Sequence, residues 1–158
     1  MRRKDRAVTE LVEIKKILDD CKTCHVAMVE DGRPYVVPLS YGYEIKEDSL
    51  ILYLHSAKEG RKIDILQKNN AVCFAISSEG EPTKAENPCN SGYYFSSIIG
   101  NGEVSFIEDV AKKCEALSYM FEHQAGRKVN FTEVQADSVT VFKIVSKDFT
   151  GKRKVKPV

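Results

Sequence analysis

The feature that most limits the possible folds is a series of short strand-like runs, each ended by turn residues. Two of these runs, Cys24–Glu30 and Pro34–Glu44, flank Asp31-Gly32, a dipeptide typical of hairpin turns. Further runs with alternating or continuous apolar residues lie at residues 50–55, 71–77, 93–107 and 138–146. Helical spacing of apolar residues occurs over about 9–20, 59–69 and 109–124. Hairpin order of this kind predicts a mainly β, α+β protein, an antiparallel barrel or sandwich with a few peripheral helices.

The length of 158 residues is that of one domain, and we expect residues 1–158 to form it, with a basic tail from about residue 152. Residues 1–6 have a net charge of +3 and residues 152–158 have +4, whereas the whole chain has +1, so the body between them is acidic. A nucleic-acid-binding domain is normally basic across its folded body. We therefore expect no nucleic-acid partner.

Hydropathy and cysteine content bear on the cellular compartment of the protein. The longest apolar run, Ala71–Ile76, is far shorter than the ~20 residues of a membrane-spanning helix, and no signal-peptide core follows the N-terminus. Five cysteines without a secretory signal are typical of reduced thiols. We expect a cytoplasmic protein that does not enter a membrane.

The densest group of polar residues follows the run 50–55. It contains His55, Ser56, Lys58, Arg61 and Lys62, with a glycine where the next helix starts. Backbone N–H groups, the positive end of a helix and several cations suit a phosphate dianion. The same residues also fit a solvated helix start with ordinary surface cations. The group lacks a recognised nucleotide fingerprint, so the residues alone leave both interpretations open.

A second motif precedes this group. Residues 33–43 contain two prolines and three tyrosines, and Pro38 inside a strand indicates an edge or a bulge. The backbone groups of such an edge are free to bind a flat heteroaromatic ring.

Together the two motifs resemble the FMN-binding split-barrel flavoproteins of the pyridoxamine 5′-phosphate oxidase superfamily, and most nearly its nitroimidazole-resistance (Nim-type) subgroup. The motifs are Arg-Pro-Tyr-x-x-Pro-x-x-Tyr-x-Tyr at 33–43 and His-Ser-Ala-x-x-Gly-Arg-Lys at 55–62. Ser97–Val104 resembles the strand that this family contributes across its dimer, and Thr150-Gly151-Lys152 resembles its segment near the cofactor. The resemblance covers about residues 6–153.

The resemblance implies a homodimer of six-stranded antiparallel split β-barrels with two FMN sites at the interface. The isoalloxazine ring would lie along Val37, Pro38, Leu39, Ser40 and Tyr41, mostly against backbone groups. The implied residues around the ribityl phosphate are His55, Ser56, Ala57, Lys58, Gly60, Arg61 and Lys62. Ser97 would come from the partner subunit, and Lys152 would lie near the cofactor. The chain lacks the arginine-rich C-terminal signature that binds the vitamin phosphate, so vitamin B6 oxidation is not expected.

The implied function is a flavin-dependent oxidoreductase that reduces small electrophiles such as nitroaromatic or nitroimidazole compounds with electrons from NAD(P)H. Nothing in the sequence distinguishes FMN from FAD. No side chain is required as a general acid or base, although His25 and Tyr41 are available. A non-catalytic flavin-binding protein and a haem-binding or haem-degrading split-barrel relative remain as alternatives.

One competing motif is Cys21-Lys22-Thr23-Cys24-His25, a literal C-x-x-C-H of the kind that attaches haem. Haem attachment normally occurs outside the cytoplasm, and the motif straddles a predicted helix–strand junction. A zinc site would need further ligands. Two partly buried thiols are the expectation here, and no metal is expected.

Overall fold

The computed structural model describes residues 3–78 and 80–156. Its strands are β1 (Ala7–Val8), β2 (Thr23–Glu30), β3 (Arg33–Ser40), β4 (Gly42–Lys46), β5 (Ser49–Ser56), β6 (Ala71–Ser77), β7 (Glu81–Thr83), β8 (Gly92–Phe106) and β9 (Thr140–Lys154). Its helices are α1 (Leu11–Asp20), α2 (Arg61–Lys68), α3 (Val110–Ala125) and α4 (Glu133–Asp137), with 3-10 turns at Lys4–Arg6 and Pro88–Asn90. The prediction of a mainly β chain with a few helices is confirmed.

All strand pairs in the nine-stranded sheet are antiparallel. The continuous path has the order β3-β2-β6-β8-β9-β5-β4, with β1 paired to β9 and β7 paired to β8. The β2–β3 hairpin turns through Asp31 and Gly32, which have φ angles of 49° and 76°. Positive φ at both central residues is the requirement of a two-residue hairpin turn, as their sequence predicts.

The two ends of this path are joined by a single residue. Strands β3 and β4 lie at opposite ends, yet only Tyr41 separates them in the chain. Consecutive Cα atoms are about 3.8 Å apart, so the sheet must curl until its two edges are neighbours. The edges do not pair with each other, so the sheet stays open there. Pro38 lies in the edge strand β3, as predicted.

Two apolar clusters lie on opposite sides of β5 and β9. Inside the curl, Leu50, Leu52 and Leu54 of β5 pack with the buried faces of α1 and α2. On the outer side, α3 and α4 pack against Val141 of β9. The backbone of α3 comes so close to Gly42 that a Cβ there would lie 2.5 Å from the Met120 nitrogen.

Several boundaries differ from the sequence-based prediction. The single strand predicted over 34–44 is two strands, broken at Tyr41. The last strand runs to Lys154 instead of ending near 146, so Lys152, Arg153 and Lys154 belong to the sheet and are not a solvated tail. Strand β7 and a 3-10 turn lie between β6 and β8, and neither they nor α4 were predicted. The six-strand barrel is not confirmed, because the sheet has nine strands and is open.

The long strand β8 is irregular at one of its glycines. Its pairing with β9 shifts register between Asn101 and Glu103, at Gly102.

Helix α3 begins after Asp109, whose carboxylate accepts a hydrogen bond from the Lys112 N–H at 2.9 Å. It ends at Gly126, whose φ of 70° is typical of a glycine at the C-terminal end of a helix.

No helix in the described ranges 3–78 and 80–156 has the length and apolar character needed to cross a membrane.

Candidate functional site

The turn from β5 to α2 contains a buried polar atom without a partner. Ser56 is only 6% exposed, and its Oγ atom makes no hydrogen bond within the described residues. Gly60 precedes α2 with φ 139°, a conformation that residues with a Cβ rarely adopt, and no side chain caps the helix. The first hydrogen bonds of α2 run from the Ile63 and Asp64 N–H groups to the Gly60 carbonyl at 2.8 and 3.2 Å, so the N–H groups of Arg61 and Lys62 precede them and can serve as donors near one point.

The predicted cations of this turn point in different directions. The Arg61 guanidinium donates from Nε to Glu30 Oε2 at 3.0 Å, and its Nη2 lies 2.9 Å from the same oxygen in an ion pair. It also stacks over the Tyr35 ring at 4.2 Å. Lys58 faces Asp137 of α4, with Nζ 3.9 Å from Oδ2. In this structure, therefore, Glu30 and Asp137 contact two of the side chains that were predicted to surround a phosphate.

His55 and Ser56 project to opposite faces of β5, as successive strand residues must. Ser56 points with Leu54 and Leu52 to the buried inner face, whereas His55 lies on the outer face, opposite Val141 of β9. The two side chains do not converge on one point, although their sequence suggested it. Burial, and then the charge of Lys62, lower the pKa of His55 below its ordinary 6.5, so the imidazole is neutral at pH 7.

Four of the five residues predicted along the ring form the second half of the edge strand β3. Val37 and Leu39 are half-buried and face the inner cluster, whereas Pro38 and Ser40 are exposed. Strand β3 pairs only with β2, so the backbone groups on its other side have no strand partner. The edge required for binding a ring through backbone groups is thus present.

The side chain of Tyr41 is packed inside the protein. It is fully buried, and its hydroxyl donates to the carbonyls of Leu18 at 2.8 Å and Cys21 at 3.0 Å. Its own carbonyl accepts from Gln124 Nε2 at 2.8 Å. Burial raises the pKa of the hydroxyl, so this group is not available as a general acid, and a contact between the Tyr41 backbone and a ring stays a prediction.

Ser97 and Lys152 are cross-strand partners far from the turn. They pair between β8 and β9, and the Lys152 ammonium lies 5.4 Å from the Phe95 ring centroid. The turn instead meets the other end of β9, where Ser56 pairs with Thr140. A strand rises about 3.3 Å per residue, so the path along β9 from Thr140 to Lys152 is roughly 40 Å.

The C-x-x-C-H segment is mostly inaccessible. Cys21 and Cys24 are buried, and burial raises the pKa of the Cys24 thiol to about 12. His25 is exposed on the opposite face of β2 from Cys24. No group of three potential metal ligands occurs in the part of the chain that the structure describes. Both thiols pack in the inner apolar cluster.

A cavity of about 490 Å³ beside His55 was not predicted. Its walls come from α3, from α4 and from the approach to β9, and Ser40 also lines it. The sequence contained one usable signal: Thr132-x-x-Gln135 is a capping-box pattern, and both of its hydrogen bonds are present in α4.

Comparisons with known proteins agree with this architecture. A family model described as pyridoxamine 5′-phosphate oxidase matches residues 10–153. A solved structure of a candidate 5-nitroimidazole antibiotic resistance protein from Bacteroides thetaiotaomicron is 33% identical, with 92% of this chain and 85% of that chain covered and a TM-score of 0.79. No curated protein sequence matches the chain significantly.

Two more distant structures share the fold. The flavocytochrome Anf3 from Azotobacter vinelandii is 22% identical over 99% of this chain and 73% of its own, with a TM-score of 0.79. The FAD and heme binding protein from Mycobacterium smegmatis is 15% identical over 96% and 74%, with a TM-score of 0.80.

Proposed function

The chain belongs to the pyridoxamine 5′-phosphate oxidase family, and we propose that it is an FMN-dependent reductase of small electrophiles such as nitroaromatic or nitroimidazole compounds, with NAD(P)H as electron donor. The 33% identical relative, a candidate 5-nitroimidazole antibiotic resistance protein, supports this choice of substrate. The absence of the arginine-rich C-terminal signature argues against a vitamin B6 phosphate as the substrate.

Ser56 carries the phosphate-binding part of the proposal. A buried hydroxyl without a partner costs about 1–3 kcal/mol, so native proteins rarely retain one without a ligand or a water to satisfy it. Ser56 lies four residues before Gly60, and the free N–H groups of α2 follow directly. A phosphate dianion would accept hydrogen bonds from both, and Lys62 and Arg61 would supply charge.

A flavin bound here would supply two-electron redox chemistry between NAD(P)H and a nitro group. The protein residues would bind and orient the flavin. The free edge of β3, at Val37 and Leu39, would present backbone donors and acceptors to the ring. Ser56 and α2 would anchor the phosphate.

We further propose a homodimer that completes the site, because Ser97 and Lys152 lie far from the turn within one chain. The outer face of the sheet supports this. Val29 is 45% exposed, Val36 57% and Ile99 53%, and the strand register puts all three on one face. Exposed apolar faces of this kind mark interaction sites.

The first test is the visible spectrum of the purified protein, followed by heat release and chromatography of the bound group. Released FMN supports the proposal, and released FAD corrects the cofactor. A Soret band favours the haem alternative, and failure to bind added flavin overturns the flavin assignment. Turnover of NAD(P)H with a nitro compound distinguishes the reductase from a non-catalytic flavin protein.

The second test concerns the residues proposed to bind the FMN phosphate. We expect the double variant Arg61→Ala/Lys62→Ala to lose FMN while it keeps its circular dichroism spectrum. The control Arg33→Ala/Lys84→Ala removes the same two charge types from exposed positions and should bind FMN normally. Equal affinity of the two double variants would contradict the site.

The dimer has its own test, sedimentation equilibrium. Ile99→Lys should yield monomers that hold flavin weakly. Val134→Lys, at a position that is 82% exposed on α4, should leave the wild-type state unchanged. A wild-type monomer that holds flavin would refute the shared site.

A further inference from the structure

Tyr41 links the two halves of the proposed flavin site. Before it lies β3, whose free edge is proposed to bind the ring. After it the chain runs through β4 into β5, which ends at Ser56 and the proposed phosphate turn. The sheet is open between β3 and β4, so no hydrogen-bonded strand pair fixes the two halves directly across this side. Their separation therefore depends on how the backbone at Tyr41 is held.

Gln124, in the last turn of α3, holds that backbone. Its side-chain nitrogen donates to the Tyr41 carbonyl at 2.8 Å and to the Lys22 carbonyl at 3.0 Å. A primary amide has two N–H donors, so these bonds use both of them. Lys22 directly precedes β2, the strand that pairs with β3. One side chain thus ties the joint between β3 and β4 to the start of the neighbouring strand.

The Tyr41 side chain does not replace this contact. Its hydroxyl donates to the carbonyls of Leu18 and Cys21, which anchors the ring in the inner cluster. The peptide carbonyl of Tyr41 points elsewhere and accepts from Gln124. The direction of the backbone as it leaves β3 is therefore determined by Gln124.

A second link between the same elements does not involve Tyr41. The Lys22 ammonium donates to the Asp19 carbonyl at 2.9 Å and to the His123 carbonyl at 2.7 Å. It fastens the same end of α3 to the junction between α1 and β2. The two links therefore allow the docking of α3 to be separated from the placement of Tyr41.

We propose that Gln124 is a positioning residue for the flavin site, because its bond to the Tyr41 carbonyl sets the separation between the ring edge of β3 and the phosphate turn after β5. The role toward FMN rests on the proposed function, whereas the role at the joint rests on the two hydrogen bonds. A ligand that engages both halves at once depends on their separation, and a ligand that engages one half does not. FMN is a ligand of the first kind, and riboflavin, which has the ring without the phosphate, is of the second.

The test compares the dissociation constants of FMN and riboflavin, measured by quenching of flavin fluorescence with flavin-free protein. In Gln124→Leu, which lacks both donors, FMN should bind about tenfold or more weakly, while riboflavin should change by less than about threefold. Lys22→Met removes the other link at an exposed position and should keep both constants within about twofold of the wild type. A general loss of stability, or a direct contact of Gln124 with the ring, would weaken both ligands in the same proportion.

Gln124→Asn keeps the test decisive if Gln124→Leu fails to fold. Its side chain is one methylene shorter and cannot reach both carbonyls, so the ratio of the two constants should shift in the same direction. Hydrogen exchange of the flavin-free protein gives a readout that needs no ligand. Residues 38–44 should exchange faster in either Gln124 variant than in Lys22→Met.

An unchanged ratio of the FMN and riboflavin constants in the Gln124 variants, or the same change in Lys22→Met, overturns the inference. Equal hydrogen exchange in the Gln124 and Lys22 variants overturns it as well. If the wild type binds neither flavin, the proposed function fails, and faster exchange confined to the Gln124 variants supports the role at the joint separately.

Discussion

Removing the Ser56 hydroxyl should have opposite effects on the free protein and on its complex with FMN. In the free protein the buried Oγ has no partner, and an unsatisfied buried hydroxyl costs about 1–3 kcal/mol. Ser56→Ala removes that cost, so the flavin-free variant should be more stable. For a domain of this size 1 kcal/mol is worth about 2–4 °C, so the melting temperature should rise by roughly 2–12 °C.

The same variant should bind FMN more weakly. A hydrogen bond to a charged phosphate contributes about 1.5–3 kcal/mol, so its loss should raise the dissociation constant about 10- to 100-fold. Thermal unfolding of the flavin-free protein measures the first effect, and quenching of FMN fluorescence measures the second. Saturating FMN should therefore stabilise the wild type by a wider margin than the variant.

Ser146 provides the matched control. It is 1% exposed, and its Oγ donates to the Asn101 carbonyl at 2.6 Å. Ser146→Ala should destabilise the protein by about 1 kcal/mol, because it leaves a buried carbonyl with one partner fewer. If Ser56→Ala destabilises the flavin-free protein as much as Ser146→Ala does, the Ser56 hydroxyl is satisfied and our reasoning is wrong. Unchanged FMN affinity would refute its role at the phosphate.

Three further predictions concern the same region and the α3 terminus. Gly60→Ala should cost about 1–3 kcal/mol in unfolding free energy, because its φ of 139° is strained for alanine; an unchanged denaturation midpoint would contradict this. Glu30→Gln should tighten FMN about two- to fivefold at low salt by releasing Arg61, and a fluorescence titration that shows weaker binding would oppose it. Burial and Lys22 lower the pKa of His123, so stability should fall as the pH drops below its ordinary 6.5, since the unfolded chain takes up the proton first. His123→Gln should reduce that pH dependence of the melting temperature.

Local signals in the sequence predicted those elements whose boundaries depend on local chemistry. The Asp31-Gly32 turn needs positive φ at both residues, which this dipeptide tolerates, so the hairpin was predictable. The Asp109 side chain caps the start of α3, and Gly126 ends the helix with a positive φ. Both effects are local and do not depend on what packs against the helix. The α4 capping box was equally local and was overlooked because the helix it begins is only five residues long.

The break at Tyr41 depends on tertiary contacts, so the alternation of apolar and polar residues in the sequence did not predict it. The alternation of residues 34–44 continues through the break. What ends β3 there is the burial of the tyrosine hydroxyl against the carbonyls of Leu18 and Cys21, together with the close approach of α3 to Gly42. Both contacts come from residues distant in sequence.

The candidate site shows the same division. Residues 55–62 were predictable as a group because they are consecutive, but their side-chain directions depend on which face of β5 is covered. The inner face receives α1 and α2 and the outer face receives α3, so Ser56 is buried beside the helix start while His55 lines a separate cavity. Consecutive residues of one turn therefore face two separate environments, and tertiary packing alone decides which of them can contribute to the proposed phosphate site.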